Sequence, residues 1–205
     1  DDYSFLAAGI LELLQARWQS QYLTFATNLL NVLLEKFEDS HAGGFFFTSN
    51  DHEPLLHRSR PLMDDAIPSG NGITAKMLIA YGHLIGEERY LAAAERLLKA
   101  LGSSVSRYPA GACTLLEAVD DWQMGLELVI LRGVNDDHRN WAADAHCHYH
   151  PRRLVFAIDA GEMSLPGLLA ERIPRGQVVA YFCEGTQCQA PILERSAFDT
   201  ALALR

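Results

Sequence analysis

The sequence predicts a mainly α-helical fold of antiparallel helix pairs, followed by a small C-terminal α/β segment of about three strands. Apolar residues recur at helical spacing through the first 124 residues, and the links between successive helices are short. After Met124 the pattern changes to compact apolar runs rich in β-branched and aromatic residues, which is typical of strands. With 205 residues, 49% of them hydrophobic, the chain can bury a substantial core.

The first two helices are expected to form one antiparallel hairpin. A first amphipathic helix ends near Trp18, and Ser20 is a suitable N-cap for the second. The wide apolar stripe of the second helix stops at residues 39–44. Because only residues 18–21 join these helices, they must run in opposite directions.

A second hairpin follows a long connection of residues 39–67. Its first helix begins near Ser69 and ends at Gly86, and its second helix starts at Glu87 with an acidic first turn. Pro109 interrupts the pattern before a fifth helix. Long ordered connections usually carry function, so the functional residues are sought in this connection.

The C-terminal segment is predicted to contain three strands, at residues 126–131, 154–158 and 178–182. A helix that begins at Asp136 or Asp137 would join the first two strands as a parallel βαβ unit, while the direction of the third strand stays open. We therefore divide the chain into partial helical hairpins (1–125) and an α/β segment packed on them (126–205).

Composition and charge exclude several classes of function. The formal net charge of −9 repels nucleic-acid phosphate, and no apolar run approaches the roughly 20 residues that a membrane span needs. Four cysteines without framework spacing suit a reducing compartment, so a cytoplasmic location is expected. The acidic start at Asp1-Asp2-Tyr3, without an initiator methionine, suggests that a longer chain precedes this one.

Three stretches of sequence together resemble the spermatogenesis-associated protein 20-like family. They are Gly43-Gly44-Phe45-Phe46-Phe47-Thr48-Ser49, Leu56-His57-Arg58, and Asp64-Asp65-Ala66-Ile67-Pro68-Ser69-Gly70-Asn71-Gly72. Shorter stretches look similar as well, namely Arg89-Tyr90-Leu91, Arg107-Tyr108-Pro109 and Ala180-Tyr181-Phe182-Cys183 with Cys188. The resemblance extends over nearly the whole chain.

The resemblance implies an architecture and a class of activity. Members of that family join a thioredoxin-like domain to an α/α toroid related to N-acylglucosamine epimerases and six-hairpin glycosidases. This chain would be the C-terminal part of such a toroid, with the residues around Phe45 as a short β insertion at its cavity. The thioredoxin-like domain and the first toroid hairpins would then be missing partners.

Asp64 and Asp65 are the first candidates for chemistry, because a carboxylate can act as general acid or base on a sugar. Adjacent side chains point in different directions, so a second carboxylate would have to come from elsewhere, for instance Asp2. The alternative is that Asp64 or Asp65 tethers the loop by accepting hydrogen bonds from backbone N–H groups.

Other residues of the same region could bind or activate a sugar. His57 beside Arg58 could act as a neutral base and an oxyanion clamp, although most such pairs are loop-packing residues. Ser69 and Asn71 could orient a sugar from a helix start, where capping by Ser69 is the simpler account. Five more residues could contact substrate, the aromatic ones by stacking on a sugar ring unless they pack in the core. They are Asp2, Tyr3, Phe45, Phe47 and Tyr108.

No cofactor and no metal site are predicted. His146, Cys147, His148 and His150 form the most metal-like string, but the spacing matches no standard zinc pattern and a solvated helix end explains it better. Cys183 and Cys188 lack the spacing of a redox pair and are expected to be structural thiols, although a turn at Gly185 could bring them together.

Two classes of function therefore compete. The first is an enzyme-like carbohydrate-handling module whose cavity lies among the helix starts and residues 43–71. The second is a binding or scaffold module that serves a thioredoxin-like domain without chemistry of its own. A further hypothesis is a homodimer formed through apolar helix faces that missing hairpins leave exposed.

Overall fold

The computed structural model describes residues 1–185 and 187–204, except for the side chains of residues 103 and 104. The chain is mainly helical, at about 53%, with a small mixed sheet in its C-terminal part. The helices are α1 (Asp2–Ala16), α2 (Ser20–Val32), α3 (Gly70–Ile85), α4 (Glu88–Arg107), α5 (Cys113–Met124), α6 (Asp137–Cys147) and α7 (Arg195–Ala203). A π-helical turn extends α2 over Leu33–Phe37, and 3-10 turns cover Pro109–Gly111 and Gly167–Glu171.

The first five helices start and stop within a few residues of the predicted positions. Gly86 ends α3 in a left-handed conformation (φ 72°), and the N–H of Glu87 donates to the carbonyl of Gly82 at 2.9 Å. A residue with a side chain would resist this conformation, which explains why a glycine marks the helix end. The predicted mainly helical fold class is confirmed.

Within the described residues the sheet contains four strands, three of which are the predicted ones, and this agrees with the expectation of about three. The strands are β1 (Glu127–Gly133), β2 (Arg153–Asp159), β3 (Val178–Glu184) and β4 (Gln187–Cys188), in the order β2-β1-β3-β4. The strands β1 and β2 are parallel, as predicted. The direction of β3, which the sequence left open, is antiparallel to β1. The two residues of β4 are too few to show a strand pattern in sequence, and α7 was also missed.

The chain divides into two compact units. The first, here called the helical unit, comprises residues 1–11, 23–82 and 87–124. The second, called the sheet unit, comprises residues 12–22, 83–86 and 125–205. The division into domains at residue 125 stays a prediction, as does the packing of one segment on the other.

Each unit has its own apolar core. In the helical unit the hydroxyl of buried Tyr81 donates to the carbonyl of Ala7, and that of Tyr90 donates to the carbonyl of Thr27, each at 3.0 Å. In the sheet unit α6 and α7 cover one face of the sheet, where Trp141 stacks on Phe198 at 4.8 Å. Within the described residues, none of the helices is long and apolar enough to cross a membrane.

Candidate functional site

The long loop, residues 39–69, is tied to two helix starts by the carboxylate of Asp64. Its Oδ1 accepts the N–H of Ser69 at 2.8 Å, just before α3. Its Oδ2 accepts the N–H of Thr114 at 2.9 Å, in the first turn of α5. The first N–H groups of a helix have no partner within the helix, so one side chain stabilises the starts of both.

The protonation of Asp64 reflects these bonds. Burial raises the pKa of the Asp64 carboxyl, but the hydrogen bonds from the backbone N–H groups of Thr114 and Ser69 lower it by more. The pKa of Asp64 therefore lies below its ordinary value. A carboxylate with both oxygens bonded to N–H groups stays ionised and is poorly placed to exchange a proton with a substrate. The geometry at Asp64 is therefore that of the tethering alternative.

Ser69 and Asn71 also bond to the protein itself. The Oγ of Ser69 accepts the N–H of Gly72 at 3.1 Å, which is an N-cap bond for α3. The side chain of buried Asn71 accepts the N–H of Phe45 at 2.8 Å and donates to the carbonyls of Phe45 at 3.0 Å and Pro61 at 2.8 Å. Asn71 thereby holds the two arms of the long loop together, one at Phe45 and the other at Pro61. Phe45 itself lies in the core.

The start of α1 joins the starts of α3 and α5. The side chain of Asp1 packs closely on the start of α3, since a Cβ built on Gly70 would lie 1.9 Å from Oδ1 of Asp1. Next to Asp1, the side chain of Asp2 is exposed, and the ring of Tyr3 lies 5.4 Å from that of Phe37. The structure thus brings together the starts of three alternate helices, with the long loop tied to them.

One exposed group of predicted residues lies where the two arms of the long loop pair. The N–H of Phe47 donates to the carbonyl of Ser59 at 2.8 Å, and the ring of Phe47 is 52% exposed. His57, two residues before Ser59, is exposed as well. Arg58 lies between them, with its guanidinium 4.0 Å from the centre of the Phe46 ring and bonded to the carbonyl of Thr48.

A second exposed group lies beside the turn that precedes α5. The N–H of Asp64 donates to the carbonyl of Gly111 at 2.8 Å, which holds the loop against this turn. Asp65 and Tyr108 are exposed there, the latter at 64%. Of the predicted residues, Asp2, Phe47, His57, Asp65 and Tyr108 face solvent, whereas Arg58, Asp64, Ser69 and Asn71 are bonded to the protein.

Sequence reasoning missed the residues on the other side of these contacts. Thr114 bonds to Asp64 through its N–H and also through its side chain, and Gly111 contributes a backbone carbonyl. Gly43 is needed because a Cβ there would lie 2.6 Å from the carbonyl oxygen of Arg96. The break at Pro109 indicated that a helix begins after it, and the first N–H groups of a helix need an acceptor from outside the helix. Nothing in the sequence indicated that the acceptor comes from a residue 50 positions earlier.

The histidine-rich end of α6 gathers no metal-binding cluster among the residues that the structure describes. His148 Nδ1 lies 2.9 Å from the carbonyl of Asp144, and His150 Nδ1 accepts the N–H of Arg152 at 3.3 Å. His146 and Cys147 are exposed.

Cys183 and Cys188 form a disulfide, so the expectation of structural thiols is wrong. The antiparallel register of β3 and β4 places the two residues directly opposite each other. This pairing follows from β4, which the sequence pattern does not show. Cys113 and Cys147 remain free thiols.

Comparison with known proteins gives relatives whose names state no activity. The chain is 27% identical over 202 residues to human spermatogenesis-associated protein 20 and 26% identical to the rat protein of that name. It is 23% identical over 198 residues to an uncharacterised protein of Caenorhabditis elegans. No protein-family model matches the chain. These matches cover about 95% of this chain but only 26–27% of each relative, so the chain spans about a quarter of their length, and they support the resemblance seen in the sequence.

Proposed function

We propose that this chain is part of a carbohydrate-handling protein, epimerase-like or glycosidase-like, and that the long loop contributes groups to its sugar site. One observation carries the proposal: helices α1, α3 and α5 begin close together, and hydrogen bonds hold the long loop against the starts of α3 and α5. Alternate helices that begin at one end are the arrangement expected of part of an α/α toroid, in which loops at helix starts surround the cavity.

The exposed residues then have distinct roles in this proposal. Asp65 is the carboxylate that hydrogen-bonds sugar hydroxyls or exchanges a proton, because Asp64 is committed to the backbone. Phe47 and Tyr108 present aromatic faces for stacking on a sugar ring. His57 supplies a base, and Arg58 positions the loop through its contacts with Thr48 and Phe46.

A thermal-shift screen of the chain against sugars, amino sugars and sugar phosphates tests this proposal, because a ligand bound only by the folded state raises the melting temperature. We expect a response that Asp65→Asn and Tyr108→Ala abolish. Glu53→Gln is the matched control, since it neutralises another exposed carboxylate of the same loop. A response that survives Asp65→Asn would contradict the role of Asp65.

A second candidate function is a non-catalytic scaffold that serves a thioredoxin-like domain. The observation that favours it is the use of Arg58, Asp64, Ser69 and Asn71 as internal tethers and caps. Silence across the whole sugar panel, together with a rise in melting temperature on addition of a purified thioredoxin, would favour this candidate over the first.

A further inference from the structure

Arg132, near the end of β1, has a buried guanidinium without a carboxylate partner among the described residues. The residue is only 2% exposed. Its Nη1 donates to the carbonyl of Arg172 at 2.8 Å, and its Nη2 donates to the carbonyls of Asp159 at 3.2 Å and Glu162 at 2.7 Å. Its Nε is buried and has no hydrogen-bond partner. Carbonyl groups orient the guanidinium but do not neutralise its charge.

Another buried arginine of the sheet unit shows how such a charge is usually compensated, by a carboxylate. Arg153 on β2 pairs with the carboxylate of Glu127, and both side chains are less than 10% exposed. A buried charge is costly unless it is paired. The carboxylates nearest in sequence to the partners of Arg132 are otherwise engaged, since that of Asp159 accepts the N–H of Gly161 at 2.7 Å and that of Glu162 accepts the hydroxyl of Ser20.

Arg132 lines a small pocket that opens to solvent. The pocket has a volume of about 30 Å³, and its other walls come from Glu162, Met163, Leu165, Ala170, Ile173 and Pro174. It is far smaller than the roughly 300–1,000 Å³ of ordinary ligand pockets, so a sugar or nucleotide would not be enclosed. A pocket with one cation and mostly apolar walls suits an anion of a few atoms that carries a short apolar part.

We propose that this pocket, here called the Arg132 pocket, binds a small free carboxylate of the size of acetate. The anion supplies the negative charge that the buried guanidinium lacks and packs its methyl group against the apolar wall. Burial lowers the pKa of Arg132 against the attraction of Tyr181, Glu162 and Asp159, which agrees with incomplete compensation of its charge. The carboxylate of Glu162 lies on the pocket wall and opposes an anion, so binding is weak, on the order of millimolar.

Saturation-transfer NMR on the intact chain tests the proposal, with sodium acetate as the probe and acetamide as its uncharged analogue of the same shape. We expect transfer to the acetate methyl group that saturates in the millimolar range, and at least about tenfold weaker binding of acetamide, because only acetate neutralises the guanidinium. Equal binding of the two compounds, or none of acetate, would overturn the proposal and leave the pocket to water.

Three variants test whether acetate binds in the Arg132 pocket. Ala170→Leu fills the pocket from an exposed position and leaves Arg132 in place, so it abolishes acetate binding without disturbing the fold. Glu162→Gln removes the opposing carboxylate and tightens binding several-fold. Arg175→Gln, which removes an exposed positive charge from the same segment, leaves binding unchanged. Acetate binding that persists in Ala170→Leu, or that falls equally in Arg175→Gln, would show that the anion binds elsewhere.

Discussion

The helical unit and the sheet unit each hold a charged side chain that joins distant segments of backbone, but they leave it in different states. Both oxygens of Asp64 accept N–H groups, and its pKa is lowered accordingly. Arg132 has three carbonyl partners, an unpaired Nε and no carboxylate partner among the described residues. A carboxylate whose two oxygens are both bonded to backbone N–H groups has a structural role, whereas a buried guanidinium that lines a pocket and lacks a counter-charge points to a ligand.

The largest effect is expected at Asn71, the most fully bonded polar residue of the helical unit's loop. Asn71→Ala leaves the N–H and carbonyl of Phe45 and the carbonyl of Pro61 without their partner, at a cost of about 3 kcal/mol in the free energy of unfolding. Urea denaturation measures it, with exposed Asn28→Ala as the control. A loss as small as that of the control would mean that these bonds do not hold the loop.

Arg132→Met tests the other side of the comparison. The change removes three hydrogen bonds but also removes an uncompensated buried charge, so we expect a loss of only about 2 kcal/mol without added anion. Acetate stabilises the native chain and not the variant, so the difference between them grows as acetate is added at constant ionic strength. If the difference in stability between the native chain and Arg132→Met did not change with acetate, Arg132 would have a purely structural role, as Asp64 has.

Asp64→Asn is expected to cost about 1–2 kcal/mol at neutral pH, because an amide group places a donor against one of two N–H groups. The folded pKa of Asp64 lies below its unfolded value, so its stabilising contribution is complete above the ordinary range, roughly pH 4, and is lost as the pH falls through the folded pKa. Melting curves of the two proteins should therefore converge in acid. Curves that stay parallel down to low pH would show that the charge of Asp64 contributes nothing.

Asp65→Asn should have the smallest effect on stability, because the side chain is exposed and its neighbour makes the tethering bonds. We expect an unchanged melting temperature in the absence of ligand, measured beside Asp64→Asn. A clear loss of stability in Asp65→Asn would give both aspartates a structural role and would leave the proposed sugar site without its carboxylate.

Local signals predicted the elements far better than the contacts. Ser20, Gly86 and Pro109 mark helix boundaries through capping, left-handed backbone and the loss of an N–H donor, which are properties of one residue and its neighbours. The two-residue strand β4 has too little pattern to be seen, so structural thiols were expected at Cys183 and Cys188, and their approach through a turn at Gly185 was only an alternative to this.

The candidate site was predicted as a region but not as a set of roles. The sequence indicated the long loop and its adjacent aspartates, and it left open which of them would tether the backbone. That choice depends on Thr114 and Gly111, which meet Asp64 only after α3, α4 and the following turn have folded.

By itself the sequence determined a mainly helical chain with a small C-terminal α/β segment, because periodicity, caps and breakers act over a few residues. Only the tertiary structure decided that Asp64 is tied and Asp65 is free, and that Arg132 is buried beside a pocket instead of lying at an exposed strand end. The physical reason is that burial and hydrogen-bond partners come from residues distant in the chain, and these set the charge and availability of a side chain.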